Sequence, residues 1–219
     1  MGLQQRPRIR VLLAGATGLV GGHCLTKLLA DDGIDHITVL SRRPLEQTHP
    51  KLSVRVTDFE HLREQADSIV ADAALCCLGT THRASRSPEA FAKVDHIYVV
   101  ELAKLAVTRG VARFVLVSSV GADPGSPVFY NRLKGRAETE VSEMAFEAVH
   151  LLRPALLLGE RSEPRPLEDW SKLMAPFWSM FAWGPFSSYR PVPAETVAAK
   201  MVELAKSSSQ GVQIHHFKT

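Results

Sequence analysis

A glycine-rich turn directly after a short apolar run is the feature that most restricts how this chain folds. Ile9–Ala14 has the composition of a buried strand, Gly15-Ala-Thr-Gly18-Leu-Val-Gly21 follows it, and helical spacing runs from about Leu19 to Ala30. Glycines in such a unit allow a tight turn, close approach of the backbone to a pyrophosphate and close helix–strand packing. The free N–H groups of the new helix then attract the phosphates. An isolated GxxGxxG is also typical of ordinary turns, but this context predicts a dinucleotide site.

Strand and helix patterns alternate along most of the chain. Short runs rich in Val, Leu and Ile predict strands at Ile9–Ala14, His36–Leu40, Leu52–Val56, Ala73–Leu78, Arg113–Val117, Val149–Arg153 and Val212–His215. Helical spacing predicts helices at about Leu19–Ala30, Pro88–Arg109, Pro127–Ala145 and Ala194–Ser207. This alternation favours an α/β fold with a doubly wound parallel sheet of the Rossmann type.

The length of 219 residues and the absence of internal repeats predict a single domain over 1–219. Regular spacing fails after Gly159, and prolines and bulky aromatics cluster at about 160–192. We expect this region to form a small irregular C-terminal cap on the substrate side of the sheet.

Composition argues against several classes of protein. The net charge is only +3, without a continuous basic run, so we expect no nucleic-acid partner. The longest aromatic-apolar stretch, 173–186, contains two prolines and a glycine, so neither it nor the short run at Ile9–Ala14 predicts a transmembrane segment or signal peptide. Cys24, Cys76 and Cys77 form no even framework, and free thiols favour a reducing cytoplasm.

The residues after the second predicted strand indicate which dinucleotide binds. NAD-selective folds place Asp or Glu there, whereas this chain has Ser41-Arg42-Arg43-Pro44. Two guanidiniums can clamp a 2′-phosphate, so Arg42 and Arg43 predict NADP(H), although a pair of solvated loop arginines is the simpler alternative. Asp58, after the third strand, is a candidate partner of the adenine amino group or a helix cap.

A YxxxK pattern supplies candidate catalytic groups. Tyr130 and Lys134 are one helical turn apart and share a helix face. A nearby ammonium favours the phenolate, and the same lysine can hold the nicotinamide ribose. Ser119 ends the fifth strand, where an open α/β sheet binds its ligand, and can orient a substrate oxygen.

Turn, serine and YxxxK together resemble the short-chain dehydrogenase/reductase superfamily in its atypical branch. More specific segments are similar to the Tat-interacting-protein-type oxidoreductases, and the likeness covers about residues 10–200. These segments are Val56-Thr-Asp58-Phe-Glu60, Cys76-Cys-Leu-Gly-Thr-Thr81, Ser118-Ser-Val-Gly-Ala-Asp123, Arg153-Pro-Ala-Leu-Leu-Leu158, Arg161 and Arg165-Pro166.

The resemblance implies a set of NADP(H) contacts. In the turn they are Thr17, Gly18, Leu19 and Val20, with the flanking Gly15 and Gly21. Arg42 and Arg43 lie at the 2′-phosphate, and Leu78 and Gly79 lie at the nicotinamide ribose. Tyr130 and Lys134 form the catalytic pair, and Leu157 and Arg165 lie over the cofactor.

Three further features allow a functional interpretation and also a simpler structural one. His82 and Arg83 could meet an anionic substrate but suit a surface loop. His215 and His216 diverge on a strand and lack a third ligand, so no metal site is expected. The aromatics of 170–186 suit a substrate-cleft wall, while a homodimer or protein-partner interface is the alternative.

Two hypotheses follow for function. The first is an NADP(H)-dependent oxidoreductase acting on a carbonyl or alcohol, a small-molecule substrate that the sequence does not identify. The second is an NADPH-binding regulatory or sensor protein that acts through protein partners. The intact serine, tyrosine and lysine favour the enzyme. Leu78-Gly79-Thr80 stands where the superfamily has an Asn-Ala-Gly motif, which leaves the sensor open.

Overall fold

The computed structural model describes residues 8–80, 87–158 and 191–217. Seven strands form one parallel sheet in the order β3-β2-β1-β4-β5-β6-β9. The strands are β1 Ile9–Ala14, β2 Ile34–Ser41, β3 Leu52–Val56, β4 Ala73–Cys76, β5 Arg113–Val117, β6 Ala148–Arg153 and β9 Gly211–His216. Two further short strands, β7 Leu157–Leu158 and β8 Val192–Pro193, pair with each other. The predicted doubly wound Rossmann sheet is confirmed.

The strand order creates one crevice. The chain builds outward from β1 to β2 and β3, then returns to place β4 on the other side of β1. Loops leaving the carboxyl ends of β1 and β4 therefore diverge, and ligands of open α/β sheets bind at such a switch point. The glycine turn leaves β1 at this point.

Helices cover both faces of the sheet. They are α1 Leu19–Ala30, a 3₁₀ helix Phe59–Ser68, α2 Pro88–Ala92, a π-helical segment Lys93–Ile97, α3 Tyr98–Thr108, α4 Phe129–Ser142 and α5 Ala194–Ala205. Alternating strand residues face opposite sides, so Leu13 packs with α1 and α5, whereas Leu12 packs with α3 and α4. Each face therefore has its own apolar core.

Two of the differences from the sequence prediction lie beside the crevice or in the helix that follows it. The fourth strand ends at Cys76 rather than Leu78, which frees the next residues to turn along the crevice. The continuous helix predicted over 88–109 is interrupted by the π-helical segment Lys93–Ile97. Gly110, with φ of +72°, follows the end of α3, as the sequence predicted.

Several predicted features lie outside the described residues. They are Arg165, His82, Arg83, the aromatics of 170–186 and nearly all of the cap at 160–192. These assignments stay predictions, as does the single-domain assignment. Among the described residues, no helix is long and apolar enough to cross a bilayer.

All three cysteines are free thiols, and His215 of β9 contacts His150 of β6. Cys24 and Cys76 are buried and Cys77 is half-buried. His215 Nε2 lies 3.1 Å from Nδ1 of His150, whose Nε2 is 3.2 Å from Ser209 Oγ. No group of three or more metal-ligating His, Cys, Asp or Glu side chains occurs in the described part of the chain.

The buried histidine His150 is expected to make the stability of the fold sensitive to acid. Its burial, followed by the positive charge of its neighbours His215, Lys200 and Arg113, lowers the pKa of His150 to about 4. In the unfolded chain this histidine has the ordinary pKa of 6.5, so on acidification the unfolded chain binds the proton before the folded protein does. The stability that neutral His150 contributes is therefore complete above pH 6.5 and is lost as the pH falls through 4. We expect acidification from pH 7 to 4 to lower the free energy of unfolding by up to about 3 kcal/mol more in the wild type than in His150→Gln.

Urea unfolding at pH 7, 5.5 and 4 measures this difference. If the free energy of unfolding changed equally with pH in the wild type and in His150→Gln, His150 would not be the cause of the acid sensitivity.

Candidate active site

The glycine turn is packed closely against its surroundings because Gly15 and Gly21 carry no Cβ. Gly15 has φ of +85°, and a Cβ there would lie 2.5 Å from the Cys77 carbonyl oxygen. A Cβ on Gly21 would lie 2.0 Å from the Gly15 carbonyl oxygen. Gly18 N–H donates to that same oxygen at 2.9 Å, and no side chain caps α1 at Gly18. The first N–H groups of α1 thus face the crevice without a capping side chain.

The other turn residues divide between solvent and core. Thr17 and Gly18 are exposed, whereas Val20 is buried in the core and Leu19 packs against it. Contacts from Leu19 and Val20 to a cofactor would therefore come from their backbone N–H groups.

Arg42 and Arg43 follow β2 at the same edge of the sheet. Both side chains are exposed, and the Arg43 N–H donates to Ser41 Oγ at 3.3 Å, which fixes the start of the loop. Asp58 follows β3 and caps the 3₁₀ helix, since its Oδ1 accepts the Glu60 N–H at 3.1 Å. The capping alternative left open by the sequence is therefore observed.

The residues after β4 line the opposite side of the crevice. Leu78 is buried, while Gly79 is exposed and lies next to two ionisable groups. A Cβ on Gly79 would be 3.4 Å from Asp95 Oδ1 and 3.7 Å from Lys134 Nζ. This glycine keeps the space in front of the lysine open.

Helix α4 carries the YxxxK pair and is held against the loop that follows β5. A Cβ on Gly135 would lie 2.2 Å from the Asp123 carbonyl carbon, so the two backbones touch. The Asp123 N–H also donates to the Asn131 carbonyl at 3.1 Å. The loop that begins at Ser119 and the helix that carries Tyr130 are therefore neighbours.

The aromatic ring of Tyr130 is half-buried and packs against α2. Its centroid lies 5.7 Å from that of Phe91, with the two planes at 58°. This tilted contact is a favourable aromatic geometry and restricts where the phenolic oxygen can lie.

Lys134 is buried in an ion pair. Its Nζ lies 2.9 Å from Asp95 Oδ1, and the side chains are only 5% and 1% exposed. Burial acts to lower the pKa of Lys134, but the charge of Asp95, the phenolic oxygen of Tyr130 and the Asp95 hydrogen bond outweigh it and raise the pKa to about 12. Lys134 is therefore an ammonium ion throughout the neutral range.

Ser118 and Ser119 present two unused hydroxyls. Both side chains are more than nine-tenths buried, and neither Oγ has a hydrogen-bond partner among the described residues. Buried polar groups are normally paired, so unpaired hydroxyls at the carboxyl end of a strand indicate a place for a bound group.

The structure thus brings together the glycine turn, Gly79, Ser119, Tyr130 and Lys134 at one crevice. Leu157 lies in the short strand β7, half-buried against the core that contains α1 and α5. Sequence analysis missed Asp95 and gave no role to Ser118. The available signal for Asp95 was an acidic residue in the middle of the apolar helix pattern at 88–109, a pattern that also contains Glu89 and Glu101.

Comparison with known proteins identifies the family. Residues 11–139 match the model of the NAD dependent epimerase/dehydratase family. Protein HTATIP2 of Rattus norvegicus is 35% identical over 205 residues, covering 92% of this chain and 83% of the rat protein. The mitochondrial protein fmp52 of Emericella nidulans is 37% identical over 172 residues, covering 75% and 74%. Since that relative is named as mitochondrial, the cytoplasmic location expected from the cysteines stays a prediction.

Solved structures share the fold at low sequence identity. UDP-glucose 4-epimerase of Thermotoga maritima, solved with UDP-glucose, has a TM-score of 0.70 and 17% identity, covering 94% of this chain and 76% of that one. The enzyme WbmH of Bordetella bronchiseptica, solved with NAD+, has a TM-score of 0.71 and 14% identity, covering 97% and 76%. The chain therefore belongs to the NAD dependent epimerase/dehydratase family, with protein HTATIP2 and the fmp52 proteins as homologues.

Proposed function

We propose that this protein is an NADP(H)-dependent oxidoreductase that interconverts a carbonyl compound and its alcohol. The unpaired, buried hydroxyl of Ser119 carries the proposal, because it lies at the carboxyl end of β5 beside the helix of Tyr130 and Lys134. Membership in a family of NAD(P)-dependent oxidoreductase-type enzymes supports it.

The proposed mechanism uses three side chains of this chain. Bound NADP(H) supplies or accepts the hydride. Ser119 donates a hydrogen bond to the substrate oxygen, and Tyr130 gives that oxygen a proton during reduction or removes one during oxidation. Lys134 holds the nicotinamide ribose, and its positive charge stabilises the phenolate that Tyr130 becomes after giving up its proton.

The turn is proposed to bind the pyrophosphate through backbone N–H groups of Thr17, Leu19 and Val20. Gly18, whose own N–H donates to the Gly15 carbonyl, is proposed to allow close approach of the pyrophosphate to the backbone. Gly15 and Gly21 allow the turn to take this shape, since a Cβ on Gly15 would overlap the Cys77 backbone and one on Gly21 would overlap the Gly15 backbone. Leu78 and Gly79 are proposed at the nicotinamide ribose, and Leu157 and Arg165 over the cofactor. Asp58 is proposed beside the adenine in addition to its capping bond.

Arg42 and Arg43 support the choice of NADP(H) over NAD(H). Both are exposed cations at the end of β2. We expect Arg42→Glu to weaken NADPH binding by at least about 10-fold, because a carboxylate repels the 2′-phosphate, while NADH binding changes less than about 3-fold. Titration of protein with each nucleotide measures both constants.

Arg109→Glu is the matched control for this change. Arg109 lies at the end of α3, just before the amino end of β5, and its replacement should leave both constants unchanged. Equal or tighter binding of NADH than NADPH by the wild type would overturn the assignment of the cofactor.

A substrate screen tests the reaction itself. NADPH oxidation is followed with aldehydes, ketones and quinones, and with UDP-glucose because a Thermotoga maritima structural neighbour was solved with it. Turnover that depends on Tyr130 supports the enzyme. Tight NADPH binding with no turnover throughout the panel would instead favour the cofactor sensor.

A further inference from the structure

A buried carboxylate, Asp95, holds the lysine of the YxxxK pair. Asp95 Oδ1 lies 2.9 Å from Lys134 Nζ, and Asp95 Oδ2 accepts the Thr80 N–H at 2.8 Å. One carboxylate therefore connects α4 to the loop that follows β4. No role for Asp95 follows from the glycine turn or from the YxxxK spacing.

The local helix geometry explains how this side chain reaches its place. Asp95 is the central residue of the π-helical segment Lys93–Ile97, which joins α2 to α3. Such single π turns inside helices are frequent at functional sites because they redirect a side chain. Asp95 points away from water here, since it is 1% exposed.

Because Lys134 is buried, its positive charge must be balanced by the negative charge of Asp95. An ammonium ion taken out of water is strongly destabilised unless an opposite charge lies beside it. Lys134 is 4% exposed and depends on Asp95 for that charge. An amine has three N–H donors in its charged form, and Asp95 engages one of them. Because Gly79 carries no side chain, that residue leaves unfilled the position 3.7 Å from Nζ where a Cβ would lie.

We infer that Asp95 is a positioning residue: its carboxylate keeps the Lys134 amine charged and leaves two N–H groups free for the ribose hydroxyls of a bound cofactor. The inference rests on the proposed function only for the identity of that cofactor. The titratable groups that act on Lys134 are Asp95, Tyr130 on its own helix and Cys76 at the end of β4.

Asp95→Asn tests this role without cofactor. Without the carboxylate, burial favours neutral Lys134, so the folded protein binds this proton less readily than the unfolded chain does, and its stability rises with pH. We expect the loss of unfolding free energy in the variant to be largest at pH 7 and to shrink towards pH 10, as measured by urea unfolding. In the wild type, the pKa of Lys134 is raised to about 12. The stability that charged Lys134 contributes is therefore complete below pH 10.5 and is lost only as the pH rises through 12.

The same variant tests the link to the cofactor. The ratio of the NADPH dissociation constants of Asp95→Asn and wild type should rise at least about 10-fold from pH 7 to 9.5, because Lys134 loses its charge only in the variant. A constant ratio, together with a pH-independent loss of stability, would overturn the inference. Absence of NADPH binding by the wild type would instead overturn the proposed function, and the unfolding measurement would still test Asp95.

Two further variants complete the design. Glu138→Gln removes a different buried carboxylate, which lies on α4 and pairs with Arg153, and it should leave the pH dependence of NADPH binding unchanged. Asp95→Asn combined with Lys134→Met leaves no buried charge at these two positions, so it should be more stable at pH 7 than Asp95→Asn alone. A double variant no more stable than the single one contradicts the inference, even where the single variant folds poorly.

Discussion

Tyr130→Phe is expected to lower kcat/KM for NADPH-dependent reduction by about 10³-fold while NADPH binding changes less than about 3-fold, because only the proton donor is removed. The ring of Phe keeps the contact with Phe91 at 5.7 Å, so the fold of α4 and the cofactor site should survive. Stopped-flow or steady-state loss of NADPH absorbance with the best substrate of the screen measures the effect.

Tyr98→Phe is the matched control. Tyr98 is a buried tyrosine whose hydroxyl donates to Glu60 Oε1 at 3.3 Å, but it lies on α3 and packs against Phe59. The turnover of the Tyr98→Phe variant should equal that of the wild type. Undiminished turnover in Tyr130→Phe would refute the assigned proton donor.

Gly21→Ala is expected to have the largest structural effect of any single methyl addition to the turn. The new Cβ would lie 2.0 Å from the Gly15 carbonyl oxygen and 2.7 Å from its carbon, so α1 must move away from the turn. We expect unfolding free energy to fall by about 3 kcal/mol or more and NADPH affinity to fall at least about 100-fold.

The adjacent residue gives a close comparison. A Cβ on Gly22 would be 3.6 Å from the Ala16 carbonyl oxygen, which is ordinary contact, and alanine favours a helix over glycine by about 1 kcal/mol. Gly22→Ala should therefore be neutral or slightly stabilising, with unchanged NADPH affinity. Thermal unfolding and nucleotide titration of both variants measure the contrast, and similar behaviour of the two would refute close packing at Gly21.

Much of the fold could be predicted because local sequence patterns and the sheet obey the same periodicities. The Val- and Leu-rich runs gave the seven main strands to within a few residues, since strands buried on both faces need continuous apolar sequence. The helix stop at Gly110 was predictable because its positive φ suits glycine. The break at Lys93–Ile97 was not, because an apolar stripe does not distinguish a continuous helix from one with an inserted π turn.

The sequence alone predicted the alternation of strands and helices, the glycine turn and the YxxxK pair, because each depends on residues that are close together along the chain. Only the tertiary structure decided the partner of Lys134, because Asp95 is 39 residues away and meets it through packing of α4 against the π-helical segment. The same holds for Gly15 against Cys77 and for the unpaired hydroxyls of Ser118 and Ser119. Contacts between distant segments, and the charges that they bury, follow from packing and not from local pattern.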